Sequence, residues 1–106
     1  MKIDSIKRMH RGWIAGHFTP TLYDTEDFEI AIHEYDQDSS YVPHYHLKST
    51  EFNVILDGEA IVCGEVVGKD GVFIVEPGEV CDVKYTKPTR LLIFRNHSDP
   101  EDKYDA

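Results

Sequence analysis

His44 and His46 stand two residues apart, Glu51 follows five positions later, and Gly58 comes seven after that. Side chains alternate faces along a β-strand, so both imidazoles project from the same side. Glu51 sits at an odd offset from His46 and would point away on an unbroken strand. The intervening Lys48-Ser49-Thr50 is polar enough to turn the chain, and a return on the next strand lets Glu51 face the histidines. Two neutral imidazoles and a carboxylate meeting at one point form a site for a divalent transition metal, with positions left open for water or substrate. A His-x-His pair by itself is more often a solvated strand face. The carboxylate and the glycine at these distances favour the metal.

Elements must position those groups, and the chain reads as strand after strand. Residues 12–18 form a short first strand closed by Pro20. Residues 28–35 alternate, with Phe28, Ile30 and Ile32 on one face and Glu29, Ala31, His33 and Tyr35 on the other. Residues 36–40 are a loop by composition, and 41–47 carry the histidines, Pro43 marking a strand start or edge. Residues 51–56, 59–63, 65–67, 72–75, 80–85 and 90–95 complete the set. Asp57-Gly58 between Val54-Ile55-Leu56 and Ala60-Ile61-Val62 predicts a hairpin turn. Short strands separated by Gly and Pro turns, with no helical period anywhere, indicate a sandwich or barrel. Residues 72–75 and 91–94 are apolar on both faces, so their outer side should be covered by the N-terminal strands or by a second subunit.

A chain of 106 residues is expected to be one domain, 1–106, with a core over about 11–96 and a polar tail, 97–106, that frays. Twenty acidic residues against 11 basic ones give a net charge of −9. That field repels phosphate backbones and anionic lipid, which argues against nucleic-acid and membrane-surface roles. No apolar run is long enough to span a bilayer, and Met1 to Arg8 lacks the apolar centre of a signal peptide. A cytoplasmic location is the expectation, with Cys63 and Cys81 as free thiols.

Residues 44–58 resemble the cupin superfamily, whose first motif runs His-x-His, three or four residues, Glu, six residues, Gly. The family's second motif is a glycine, a short apolar strand, a Pro-Gly-type turn and a third histidine three residues after the turn glycine. Gly71-Val72-Phe73-Ile74-Val75-Glu76-Pro77-Gly78-Glu79-Val80-Cys81 follows that outline but places Cys81 where the histidine is expected. The leading Asp70-Gly71 is also one residue out of step with the usual Gly-Asp. The resemblance extends over residues 28–96 and implies an all-β, double-stranded β-helix, a jelly-roll barrel. For function it is only permissive, because cupins include dioxygenases, isomerases, epimerases, lyases, storage proteins and sensors.

The resemblance implies one divalent transition metal (zinc, iron, nickel or manganese) held by His44, His46 and Glu51. Cys81 has two readings. As a thiolate ligand it would soften the set towards zinc, nickel or copper; as a small hydrophobe it would only fill the space of a lost histidine. By alternation His33, Tyr35, Asn53 and Tyr85 point inward and are the candidate substrate contacts. Arg95 ends the last strand and could pair an anionic ligand group. Two functions follow: a metal-dependent enzyme acting on a small polar metabolite, a sugar derivative or a carboxylic acid, or a non-enzymatic module that binds or senses one. A homodimer is expected in either case.

Overall fold

The computed structural model describes residues 1–106. Two short 3-10 turns, Ile6–Arg8 and His10–Gly12, lead into eleven strands. They are β1 (Trp13–Gly16), β2 (Tyr23–Asp24), β3 (Glu29–Tyr35), β4 (His44–Tyr45), β5 (Glu51–Asp57), β6 (Glu59–Val62), β7 (Glu65–Gly68), β8 (Val72–Val75), β9 (Val83–Tyr85), β10 (Thr89–Arg95) and β11 (Tyr104–Asp105). One sheet has the order β2-β1-β3-β10-β5-β8, a second has β7-β6-β9, and β4 pairs with β11. The architecture is a double-stranded β-helix, as the sequence predicts.

The antiparallel register of the large sheet decides what meets what. Across β3, β10 and β5 it lines up Glu29, Arg95 and Glu51 in one row and Ala31, Ile93 and Asn53 in the next. His33, Leu91 and Ile55 make a third row. All nine residues have the inward parity of their strands, so the concave face is apolar in its middle and charged at one end. Buried Trp13, Ala31, Ile55, Ala60, Val75, Val83, Tyr85, Leu91 and Ile93 make the core, with Cys81 among them. Ile55 and Ala31 are fully excluded from solvent.

Three local expectations change. Asp57-Gly58 does not close a hairpin: β5 lies in the large sheet, while β6 pairs with β7 and β9, so these residues turn a corner between sheets. Gly58 has φ +104°, and a Cβ there would sit 2.4 Å from the Pro88 carbonyl oxygen, so only glycine fits. The tail does not fray, because β11 pairs with β4 and Asp102 and Ser98 are buried. The N-terminal strands do not cover the outer face; β1 and β2 extend the edge of the sheet beyond β3.

The outer face of that sheet is left apolar and open. Phe52, Val72 and Ile74 are exposed, and Tyr23, Phe28, Phe94 and Phe52 form a chain of ring contacts across it. No helix is long and apolar enough to cross a membrane.

Candidate functional site

A cavity of about 770 Å³ lies on the concave side. His33, Tyr35, His44, His46, Glu51, Asn53, Cys81 and Tyr85 all line it, so every candidate side chain named from sequence faces one space. Pro43 immediately precedes the short strand β4, and alternation beyond it puts His44 and His46 on the same side, their rings 5.2 Å apart and nearly perpendicular. The chain bends at Leu47 and Lys48 and returns as β5 with Glu51 facing inward.

Each imidazole is fixed by a carbonyl. His44 Nδ1 lies 3.1 Å from the Val42 oxygen, and His46 Nδ1 donates to the main-chain oxygen of Asp102. A carbonyl can only accept, so both rings carry a hydrogen on Nδ1 and leave Nε2 for another partner. His46 Nε2 is buried with no hydrogen-bond partner. Burial holds the His44 imidazole below its usual pKa, which keeps it neutral. The Asp102 carboxylate accepts from the backbone N–H of Leu47 and Lys48 at 2.9 and 3.0 Å, so one tail residue both shapes the turn and aims His46. Nothing local in the sequence marks this residue, because only tertiary pairing brings residue 102 beside residue 46.

Arg95 is the other surprise. Its Nη1 donates to Glu29 Oε1 at 2.5 Å, while Nη2 and Nε reach Glu51 Oε1 at 2.6 and 2.8 Å. The guanidinium also sits 5.4 Å from the Trp13 ring centroid. Glu29 Oε2 accepts from Ser98 Oγ at 2.8 Å, and Glu51 Oε2 from Asn53 Nδ2 at 3.3 Å. Burial alone would raise the Glu51 carboxyl, but the adjoining Arg95 charge wins and holds it below its usual range. Arg95 therefore points inward and does pair anionic groups, but these are the protein's own carboxylates and not those of a ligand. Sequence reading gave Glu29 no role, and only the register set it opposite Arg95.

The far end of the cavity is aromatic. Tyr35 and Tyr85 stack with centroids 4.1 Å apart, Tyr41 packs edge-on to Tyr35, and His33 lies 2.9 Å from the Tyr35 hydroxyl. His33 Nε2, like that of His46, is buried and unpartnered. Burial, with Arg95 nearby, lowers the His33 pKa, and burial raises both tyrosines. Cys81 pairs its backbone with His44, and burial pushes its thiol up to about 12.

No protein-family model matches the sequence, and no curated protein matches it significantly. Solved structures do match. A Klebsiella pneumoniae protein described as having a double-stranded beta-helix domain superposes with TM-score 0.75 at 15% identity, over 99% of this chain and 91% of that one. KdgF from Halomonas sp. gives 0.65 at 15% over 71% of this chain and 74% of its own. An oxalate oxidase in complex with the substrate analogue glycolate gives 0.65 at 16% over 76% of this chain, which spans only 46% of that enzyme's chain. This chain has the cupin fold. At such identities the likeness concerns architecture alone.

The cupin motif makes His44, His46, Glu51 and Cys81 the candidate metal donors, and the geometry tests whether they fit. The two imidazoles are correctly prepared, with Nδ1 on carbonyls and Nε2 free. The remaining donors are not: Glu51 Oε1 is taken by Arg95, and Cys81 stands where a third imidazole is expected. As arranged, no three His, Cys, Asp or Glu side chains come close enough together to hold one ion. The donor set does not fit a metal in this arrangement.

Proposed function

We propose that this cupin-fold protein binds a small polar metabolite in its cavity, with His44 and His46 as the principal contacts. The observation that carries this reading is the pair of imidazoles fixed by carbonyls, one with a buried Nε2 that no protein group satisfies. A buried acceptor without a partner is costly, and a ligand hydroxyl donating to it removes the penalty. Tyr35, Tyr85 and His33 offer rings and hydroxyls to the rest of the ligand, and Asn53 offers an amide. The oxalate oxidase of the same fold was solved holding glycolate, a small hydroxy acid, which supports a ligand of this size and polarity. The test is a thermal-shift panel of sugar derivatives and small carboxylic acids. A binder at a hundred times its Kd raises stability by about 2.7 kcal/mol, and His46→Ala removes that shift. A panel with no shift, or one that His46→Ala leaves intact, discards the reading.

A second reading is metal-dependent catalysis of the isomerase, epimerase or dioxygenase type. Two observations favour it: Nε2 of His46 is bare, and Glu51 Oε2 has only a long contact to Asn53. It requires Glu51 to exchange Arg95 for a divalent transition metal beside His44, His46 and Cys81. Metal content of the purified protein decides between the two readings.

A further inference from the structure

We propose that Arg95 is the built-in cation of this site, standing where the cupin motif leads one to expect a metal ion. Three observations carry it. Register first fixes Arg95 between Glu29 and Glu51, one on each neighbouring strand, so the pairing follows from the sheet itself. The side chains of Arg95, Glu29 and Glu51 are only 16%, 4% and 5% exposed, so the guanidinium has no solvated position to retreat to. Trp13 covers its face, and Ser98 holds the far oxygen of Glu29. A divalent ion drawn to Glu51 would lie beside a fixed positive charge with little water between them, and that repulsion is severe in a poorly solvated cavity. Cys81, finally, occupies the place of the third nitrogen donor, which leaves two imidazoles as the only prepared ligands.

The consequence for binding is that ligand hydroxyls meet the two Nε2 atoms directly, with Arg95 setting the charge beneath them. This role for Arg95 rests on the cavity being the binding site, and the two can fail separately. The metabolite panel decides the cavity whatever the metal content, and the following measurement decides the cation.

Protein expressed in zinc-, manganese- and nickel-supplemented medium is analysed for metal and then titrated with Co²⁺, whose visible absorption reports nitrogen and oxygen ligation. Wild type and Arg95→Lys are expected to hold less than about a tenth of an equivalent and to develop no cobalt band. The double variant Arg95→Met/Glu29→Gln frees Glu51 without leaving a second bare carboxylate. It is expected to take up about one equivalent of Co²⁺, with a band that vanishes when His46→Ala is added. Near-stoichiometric metal in the wild type, lost in His46→Ala, overturns the proposal, as does equal cobalt uptake by wild type and double variant. Should the double variant fail to fold by circular dichroism, the wild-type titration decides alone. No band then supports Arg95 as the cation, and a band that needs His46 overturns it.

Discussion

At the scale of single residues, the charged row Glu29–Arg95–Glu51 and the two fixed imidazoles dominate. Arg95→Met leaves two buried carboxylates facing each other and should cost about 3–5 kcal/mol, read as a drop in the urea midpoint. Adding Glu29→Gln should recover part of it, and a midpoint unchanged by Arg95→Met would show that the row contributes nothing. Acid should unfold the protein in two stages. His33 and His44 are held below their ordinary 6.5 by burial, so below about pH 6.5 the unfolded chain binds protons that the folded chain refuses. Stability therefore falls as pH drops from about 6.5 towards the depressed folded values. Glu51 is held below its ordinary 4.5, so its contribution is complete above that pH and is lost as pH falls through the folded value. Melting temperatures from pH 8 to about 2 check this, and His33→Asn/His44→Asn should flatten the upper stage only. A melting curve flat from pH 6.5 to 5 would contradict it.

At the scale of elements, the C-terminal segment is a working part of the site. Strand β11 pairs with β4, the strand that starts at His44, and Asp102 binds both the turn at Leu47 and Lys48 and the ring of His46. Asp102→Ala removes two charge-assisted hydrogen bonds to the backbone of the Leu47–Lys48 turn and should cost about 1–3 kcal/mol. Removal of residues 101–106 should cost more and should weaken binding of any ligand identified in the panel, because His46 then loses the carbonyl that fixes its tautomer. Limited proteolysis and calorimetry on the truncated chain measure both effects, and unchanged ligand affinity would show that the segment plays no part in aiming His46. The corner at Gly58 is the converse case. Its positive φ and the nearby Pro88 carbonyl oxygen leave no room for a side chain, so β5 and β6 can part into different sheets.

At the scale of the whole molecule, the open question is the outer face of the large sheet. Exposed Phe52, Val72 and Ile74, beside the Tyr23–Phe28–Phe94–Phe52 ring contacts, make a broad apolar surface on an otherwise acidic protein. A second copy packed face to face would cover it. Sedimentation equilibrium is expected to give a dimer for the wild type and a monomer for Phe52→Lys/Ile74→Lys. The fold should survive, since Phe52 and Ile74 are 44% and 48% exposed in the single chain. A monomeric wild type at high concentration removes the homodimer.

Much of the fold was legible because alternation is a local property. The parity of 28–35 and 51–56 placed His33, Tyr35, Glu51 and Asn53 on inward faces before any sheet was known, with Glu29 on the face of His33, and the motif at 44–58 named the architecture. What alternation cannot state is which strands lie side by side. Register across β3, β10 and β5 put Arg95 between two carboxylates and turned the expected metal ligand into an ion-pair partner. Contacts over more than fifty residues of chain brought Asp102 to His46. The sequence determined the direction of each side chain, because that depends on neighbours one and two residues away. Only the tertiary structure decided which charges are satisfied within the protein and which donors remain for a ligand, because that depends on distances between strands.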